Sequence, residues 1–157
     1  MLDKTEAKAK AFRLEEATID DLRARLDGRT VTTHVPPDLE VHADADLLRM
    51  ALRHLADNAV KYSPAGSAIA ISARPLEDTD FVQITVESGG QPIPLNEREA
   101  IFDRFYRGDA ARRVPGSGMG LAIVQQIARA HGGEASLHTT DAGNQFHLTL
   151  PRGARAS

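Results

Sequence analysis

The chain contains no cysteine. That excludes a disulfide framework, a thiolate metal site and a cysteine nucleophile. Tryptophan is absent, and five Phe and two Tyr in 157 residues are too few for a platform on which nucleic-acid bases stack. Positive charge is not in surplus: the net charge is −3, so no broad basic field draws the chain to nucleic acid or anionic lipid. No apolar run approaches the ~18 residues of a membrane span, and no signal peptide opens the chain. Direct membrane contact is therefore not expected from this segment, and the lack of thiols fits the cytosol. What remains is an ordinary globular composition, 41% hydrophobic and 26% charged, long enough for one domain with a sizeable core.

Against that background one segment stands out. Gly116-Ser117-Gly118-Met119-Gly120-Leu121 runs straight into Ala122-Ile123-Val124-Gln125-Gln126-Ile127-Ala128, so a glycine-dense loop feeds the first turn of an amphipathic helix. The first four N–H groups of a helix have no internal partner, and the helix dipole adds partial positive charge there. Glycine lets a bulky anion approach that backbone. The result is a ready phosphate site. A flexible loop ahead of a core helix is the alternative for an isolated G-x-G.

Elsewhere the pattern predicts an α+β chain. Met1 to about Ala11 is Lys/Glu/Ala-rich and reads as a frayed helical lead-in from an upstream region. We place its end at residue 14, with the domain proper at 15–157. Glu15–Leu26 carries Ile19, Leu22 and Leu26 at helical spacing, with Gly28 as a stop. Thr30–Val35 and Leu39–His42 are strand-like. Asp44–Tyr62 is the strongest helix, with Leu48, Leu52, Leu55 and Ala59 in a stripe, ended by Ser63-Pro64-Ala65-Gly66. Ala68–Ala73 and Phe81–Ser88 alternate as strands. An irregular stretch from Gly89 to Pro115 holds one short helix near Glu97–Phe102. Helix Met119–His131 stops at Gly132-Gly133, and strands Glu134–Thr140 and Gln145–Pro151 close the chain around an Asp141–Asn144 turn. These elements make a two-layer α/β sandwich, a mixed, mostly antiparallel sheet backed by three helices.

The long helix carries a second constellation. His54, Asn58 and Lys61 fall at i, i+4 and i+7 and share one face beside the leucine stripe. Asn58 offers a neutral carbonyl oxygen suited to Mg²⁺, which takes few protein ligands and keeps waters and substrate phosphates. Lys61 offers a point charge for phosphate. A solvated polar face is the competing reading of the same three residues.

Taken together, the segments resemble the catalytic ATP-binding domain of bacterial sensor histidine kinases, within the gyrase, Hsp90, histidine kinase and MutL (GHKL) superfamily. The resemblance spans roughly Glu15 to Pro151. It rests on His54-Leu55-Ala56-Asp57-Asn58-Ala59-Val60-Lys61-Tyr62-Ser63-Pro64, similar to the family's N box (NLLxNAxKYSP). Ile101-Phe102-Asp103-Arg104-Phe105-Tyr106-Arg107 is similar to the F box, and residues 116–121 to the G2 box (GxGLGL). Gly143-Asn144-Gln145-Phe146 stands where the family often has GGTxF. Four such pieces in this order are specific.

The resemblance implies roles. Asn58 would ligate Mg²⁺ and Lys61 would meet the phosphates of ATP. Tyr62 would line the adenine or ribose region. Gly116, Ser117, Gly118, Met119, Gly120 and Leu121 would cradle the triphosphate, and Ser88, Gly90 and Ile93 would border the base. Arg104 and Arg107 would neutralise the γ-phosphate, as phosphoryl transfer requires, unless they are salt-bridge partners. Asp109–Pro115 would be an ATP lid, mobile without nucleotide. The implied activity is that of a protein-histidine kinase in two-component signalling. Its partners would be ATP, the dimerisation and phosphoacceptor helices of the same full-length protein, and a response regulator. The implied setting is the cytoplasmic part of a membrane-bound sensor.

Three departures qualify this. The family's G1 box reads DxGxGIP, whereas this chain has Ser88-Gly89-Gly90-Gln91-Pro92-Ile93-Pro94. Ser88 thus takes the place of the Asp and Pro92 that of the second Gly. Sliding Glu87 into the Asp role conflicts with strand parity, because Val82, Ile84, Val86 and Ser88 share a face and a one-residue slip inverts it. The first Asn of the N box is His54, which either touches phosphate or Mg²⁺-bound water or is a surface histidine. The expectation is weakened ATP affinity with poorer base discrimination. None of the six histidines sits in a phosphoacceptor motif of the H-E-x-R-T-P kind. The alternative is a degenerate, non-catalytic regulatory or docking module. An ATP-hydrolysing relative of the gyrase or MutL type is disfavoured, because His54 stands where those carry a general-base Glu. An anti-sigma factor of the serine-kinase type is disfavoured by the intact F box.

Overall fold

The computed structural model describes residues 9–15, 22, 26, 29–61, 63–64, 66–90, 120–140 and 143–153. In chain order the elements are β1 (Lys10–Arg13), β2 (Val31–His34), β3 (Glu40–Ala43), α1 (Ala45–Lys61), β4 (Ile69–Pro75), β5 (Phe81–Ser88), α2 (Gly120–Ala130), β6 (Ala135–Thr140) and β7 (Gly143–Pro151).

Period-two burial builds the main sheet. Along β5 every second residue is buried, and β7 alternates likewise from Asn144. Matching the faces fixes the register: Val82 opposite Leu150, Ile84 opposite Leu148, Val86 opposite Phe146 and Ser88 opposite Asn144. Adding β4, β2 and β6 gives a five-stranded sheet of order β2-β4-β5-β7-β6. Only the β2–β4 pair is parallel. This is the mixed, mostly antiparallel sheet that the sequence predicts.

One face of that sheet is covered. Ile69, Ile71, Val82, Ile84, Val86, Phe146, Leu148 and Leu150 join one buried cluster with Leu48, Leu52 and Leu55 of α1 and Leu121, Val124 and Ile127 of α2. Both helices therefore lie on the same side, as expected for a two-layer sandwich. The opposite face carries half-buried or exposed polar residues, among them Thr85, Glu87, Gln145, His138 and His147. Of the third expected helix, Glu15–Leu26, most lies outside the described residues. Leu22 and Leu26 are buried, and the Leu26 N–H donates to the Leu22 carbonyl at 3.0 Å, a bond of helical spacing.

Both helix ends follow from local chemistry. Asp44 caps α1: its Oδ1 accepts from the N–H groups of Asp46 and Leu47 at 3.0 and 3.2 Å, which satisfies two orphan donors. At the far end of α2, Gly132 takes φ +81°. The Gly133 N–H reaches the Ala128 carbonyl and the Gly132 N–H that of Arg129, the paired bonds of a Schellman ending.

Two expectations are corrected. Lys10 and Ala11, read as helical lead-in, begin a strand that pairs antiparallel with β3 in a separate two-stranded ribbon. What overrides the local composition is tertiary: Phe12 packs against the core, and the Leu14 N–H, with its side chain buried, donates to the Leu39 carbonyl. The turn expected at Asp141–Asn144 is shorter, because Gly143 and Asn144 already pair with Thr140 and Thr139.

Candidate functional site

Asp44 and His131 set the orientation of the two helices. The Asp44 N–H donates to His131 Nε2 at 3.0 Å, and His131 Nδ1 lies 2.7 Å from the Ile127 carbonyl. Since Nε2 accepts, the network assigns the proton to Nδ1. The start of α1 is thereby fixed to the end of α2. The helices pack against each other and run in opposite senses. At 1.5 Å per residue α2 extends about 16 Å along α1. Its first residue, Gly120, is thus level with the turn of α1 that carries His54 and Asn58.

At that end Asn58 is 6% exposed, and its Nδ2 donates to the His54 carbonyl at 2.9 Å. With the amide nitrogen engaged, Oδ1 is the atom this residue can offer a cation. His54 and Lys61 flank it, both half-buried and each with partners of its own. The structure thus brings His54, Asn58 and Lys61 onto one helix face, as their spacing predicts. The loop that follows is held by Arg29, whose Nη1 donates to Ser63 Oγ at 2.9 Å and Ser67 Oγ at 3.1 Å. Among the described residues no cluster of three His, Cys, Asp or Glu could hold a metal by itself. A hard cation here would have one neutral oxygen from the protein and would need further oxygens from substrate and water, the usual way Mg²⁺ is bound.

Ser88 ends β5 on the covered face, 1% exposed, between Ile69 and Asn144 in register. Among the described residues its Oγ is the buried side-chain polar atom that lacks a hydrogen-bond partner. Glu87, one residue earlier, points to the opposite face, where its Oε2 accepts from Gln145 Nε2 at 2.7 Å. The slipped register that would put Glu87 in the base site is therefore ruled out by geometry as well as by parity. Gly90 follows with φ +120°, a conformation that glycine supplies without strain. Leu121 is 3% exposed and belongs to the core, so only its backbone can contribute to phosphate binding.

The sequence marks Gly143 and Asn144 by the resemblance alone and gives Gln125 no role. Gly143 adopts φ +148°, and a Cβ there would collide with the Ser88 carbonyl and Gly89; the start of β7 is pressed onto the end of β5. Asn144 is fully buried, with Oδ1 accepting from Thr139 Oγ1 at 2.9 Å. Gln125 ties α2 to β6 through both atoms of its amide, at 3.2 and 2.9 Å from the Ala135 carbonyl and N–H. A cavity of about 290 Å³ opens at this end of the sheet, bordered by Thr32, Ala70, Glu87, Ser88 and Gly89. Of the expected site residues, Tyr62, Ile93, Arg104, Arg107, Gly116, Ser117, Gly118 and Met119 lie outside the described residues, as do Pro92 and the 109–115 lid.

The fold and this arrangement define a class. The model of the histidine kinase-, DNA gyrase B- and HSP90-like ATPases matches residues 43–154, and the chain belongs to that family. Among individual proteins it is similar to the signal transduction histidine-protein kinase/phosphatase MprB of Mycolicibacterium smegmatis. The two are 42% identical over 117 residues, 71% of this chain and 24% of that protein. The chain thus spans about a quarter of that relative's length. The solved mycobacterial sensor histidine kinase MprB superposes with a TM-score of 0.79 at 29% identity, covering 94% of this chain and 99% of that one. Full-length ShkA in complex with AMPPNP gives a TM-score of 0.78 at 26% identity, covering 95% of this chain and 32% of that one.

Proposed function

We propose that this chain is the ATP-binding catalytic domain of a two-component sensor histidine kinase. It would deliver the γ-phosphoryl group of ATP to a histidine on separate dimerisation helices of the full-length protein, and from there to a response regulator. The observation that carries the reading is the antiparallel pairing of α1 and α2 through Asp44 and His131. It brings the N-terminus of α2 level with the turn of α1 that carries His54 and Asn58, with Lys61 about a turn further along. In this reading the N–H groups of the first turn of α2, its helix dipole, the Asn58 oxygen and the Lys61 ammonium would together make a donor set for a metal-bound polyphosphate.

The division of labour follows from residue chemistry. Asn58 Oδ1 would hold Mg²⁺, and the ion would supply charge neutralisation across the phosphates. Lys61 and the backbone from Gly116 to Gly120 bind the phosphate oxygens. Tyr62, Ser88, Gly90 and Ile93 border the base and ribose. Arg104 and Arg107 balance the charge that shifts towards the β–γ bridging oxygen as its bond to phosphorus breaks and the acceptor nitrogen bonds in its place. The setting is the cytoplasmic portion of a membrane-bound bacterial sensor. Among the described residues no helix is long and apolar enough to cross a membrane.

Calorimetry with ATP and ADP, with and without Mg²⁺, tests the reading, followed by phosphotransfer to a supplied dimerisation fragment. Mg²⁺-dependent binding and label transfer are expected. Binding without transfer favours the second reading, a non-catalytic docking module. The absence of any carboxylate beside Ser88 on the covered face, among the described residues, favours that alternative.

A further inference from the structure

We infer that Ser88 makes this site indifferent to the group at C6 of a purine, so that 6-amino and 6-oxo nucleoside triphosphates bind comparably. The inference rests on the nucleotide-binding reading above and names the base preference of that site.

The starting observation is the buried Ser88 Oγ with no partner among the described residues. A buried polar atom without a hydrogen bond is uncommon and calls for an explanation. Here the atom sits at the end of the sheet where β5 gives way to Gly89 and Gly90. Its backbone is clamped by Gly143, whose missing Cβ permits the approach. A hydroxyl in that position is both donor and acceptor and rotates to suit its partner. It accepts from an amino group or donates to a carbonyl with equal ease.

Among the described residues, the row it belongs to is neutral. The covered-face row across this end of the sheet is Val31, Ile69, Ser88, Asn144 and Thr139: two apolar side chains, two hydroxyls and an amide. The nearest carboxylate in sequence, Glu87, faces the other way and accepts from Gln145. Asp57 is exposed on α1. A carboxylate in this row would accept only, welcome the adenine amino group and repel the guanine or hypoxanthine carbonyl. Strong discrimination arises where a mismatched ligand leaves a buried site group unpaired. With a hydroxyl neither base does so.

The test titrates the Mg²⁺ complexes of ATP and inosine triphosphate, which differ at the C6 edge, against the whole chain by calorimetry. Ser88→Asp and Ser88→Ala follow in the same way. The expected affinities of the unmodified chain for the two nucleotides lie within about tenfold. Ser88→Asp should raise the ATP preference by at least about tenfold, since a charge-assisted bond is roughly twice as strong as a neutral one. Ser88→Ala should weaken both nucleotides alike while leaving the ligand-free melting temperature unchanged or higher, because it removes a buried unpaired hydroxyl. Ser88→Ala keeps the test decisive if the Asp variant does not fold. An ATP preference above about a hundredfold in the unmodified chain overturns the inference and leaves the nucleotide reading intact. So does a Ser88→Ala protein that binds both nucleotides unchanged. If neither nucleotide binds any of the three proteins, the nucleotide reading itself fails, and the inference with it.

Discussion

His131 Nε2 accepts the Asp44 backbone N–H across 87 residues of sequence, at 3.0 Å. One imidazole thus joins the C-terminal turn of one helix to the N-cap of the other. The same Asp44 caps α1 with its carboxylate, so a single residue receives the tether and organises the helix start.

Replacing His131 with alanine leaves the buried Asp44 N–H without its partner, while the Ile127 carbonyl still accepts from the backbone N–H of residue 131. The expected loss of stability is about 1–3 kcal/mol, read from denaturant unfolding. Nucleotide affinity should fall as well, because the relative placement of Asn58 and Gly120 depends on that link. Unchanged affinity in a destabilised protein would separate the tether from the site.

Asn58→Ala is expected to abolish the Mg²⁺-dependent part of ATP binding, and His54→Ala to have a smaller effect. Among the described residues the Asn58 amide nitrogen bonds within its own helix turn, to the His54 carbonyl, so the substitution should cost little stability. ATP affinity unchanged in Mg²⁺ would remove Asn58 from the metal role.

Gly143→Ala and Gly66→Ala form a contrasting pair. Both glycines have positive φ, but a Cβ at position 66 meets open space whereas one at 143 strikes the Ser88 carbonyl. Gly66→Ala should cost about 1 kcal/mol, the conformational penalty alone. Gly143→Ala should cost distinctly more, and thermal melts of the two variants would show the difference.

His147 predicts a pH response. Burial, followed by the nearby charges of His138 and Arg74, pushes its pKa below 6.5 against the opposing pull of Glu87. Its Nδ1 sits 2.9 Å from Thr85 Oγ1. The unfolded chain therefore binds a proton at higher pH than the folded one does. Stability from this group is present above about 6.5 and declines as pH falls below that value towards the folded pKa. Denaturation midpoints measured between about pH 5 and 7 should slope upward with pH, and His147→Gln should flatten part of that slope.

Much of this was readable because alternation is unforgiving. Val82, Ile84, Val86 and Ser88 could occupy one face only, and that parity already excluded Glu87 before its bond to Gln145 was seen. Likewise the 3.6-residue stripe of Leu48, Leu52 and Leu55 placed Asn58 correctly at the border of the core. What failed were features decided by distant partners. Lys10-Ala11-Phe12-Arg13 has a single large apolar side chain, and its strand exists because β3 lies alongside it. Gly143 reads as a turn residue in sequence, yet its glycine is required by the approach of Ser88, 55 positions away. His131 reads as part of a helix stop. Its second nitrogen reveals its task only when Asp44 is brought to it.

The pairing of β5 with β7 also has a kinetic consequence. Residues 56 to 70 positions apart are joined in that ladder, at the centre of the sheet, whereas the β4–β5 and β6–β7 hairpins are local. Closing so large a loop costs entropy before any contact rewards it. The two hairpins are thus expected to form early and to dock late. The pocket end, where Ser88 meets Asn144, comes into being only at that docking step. A nascent chain can therefore bury neither this core nor this site until β7 has been synthesised.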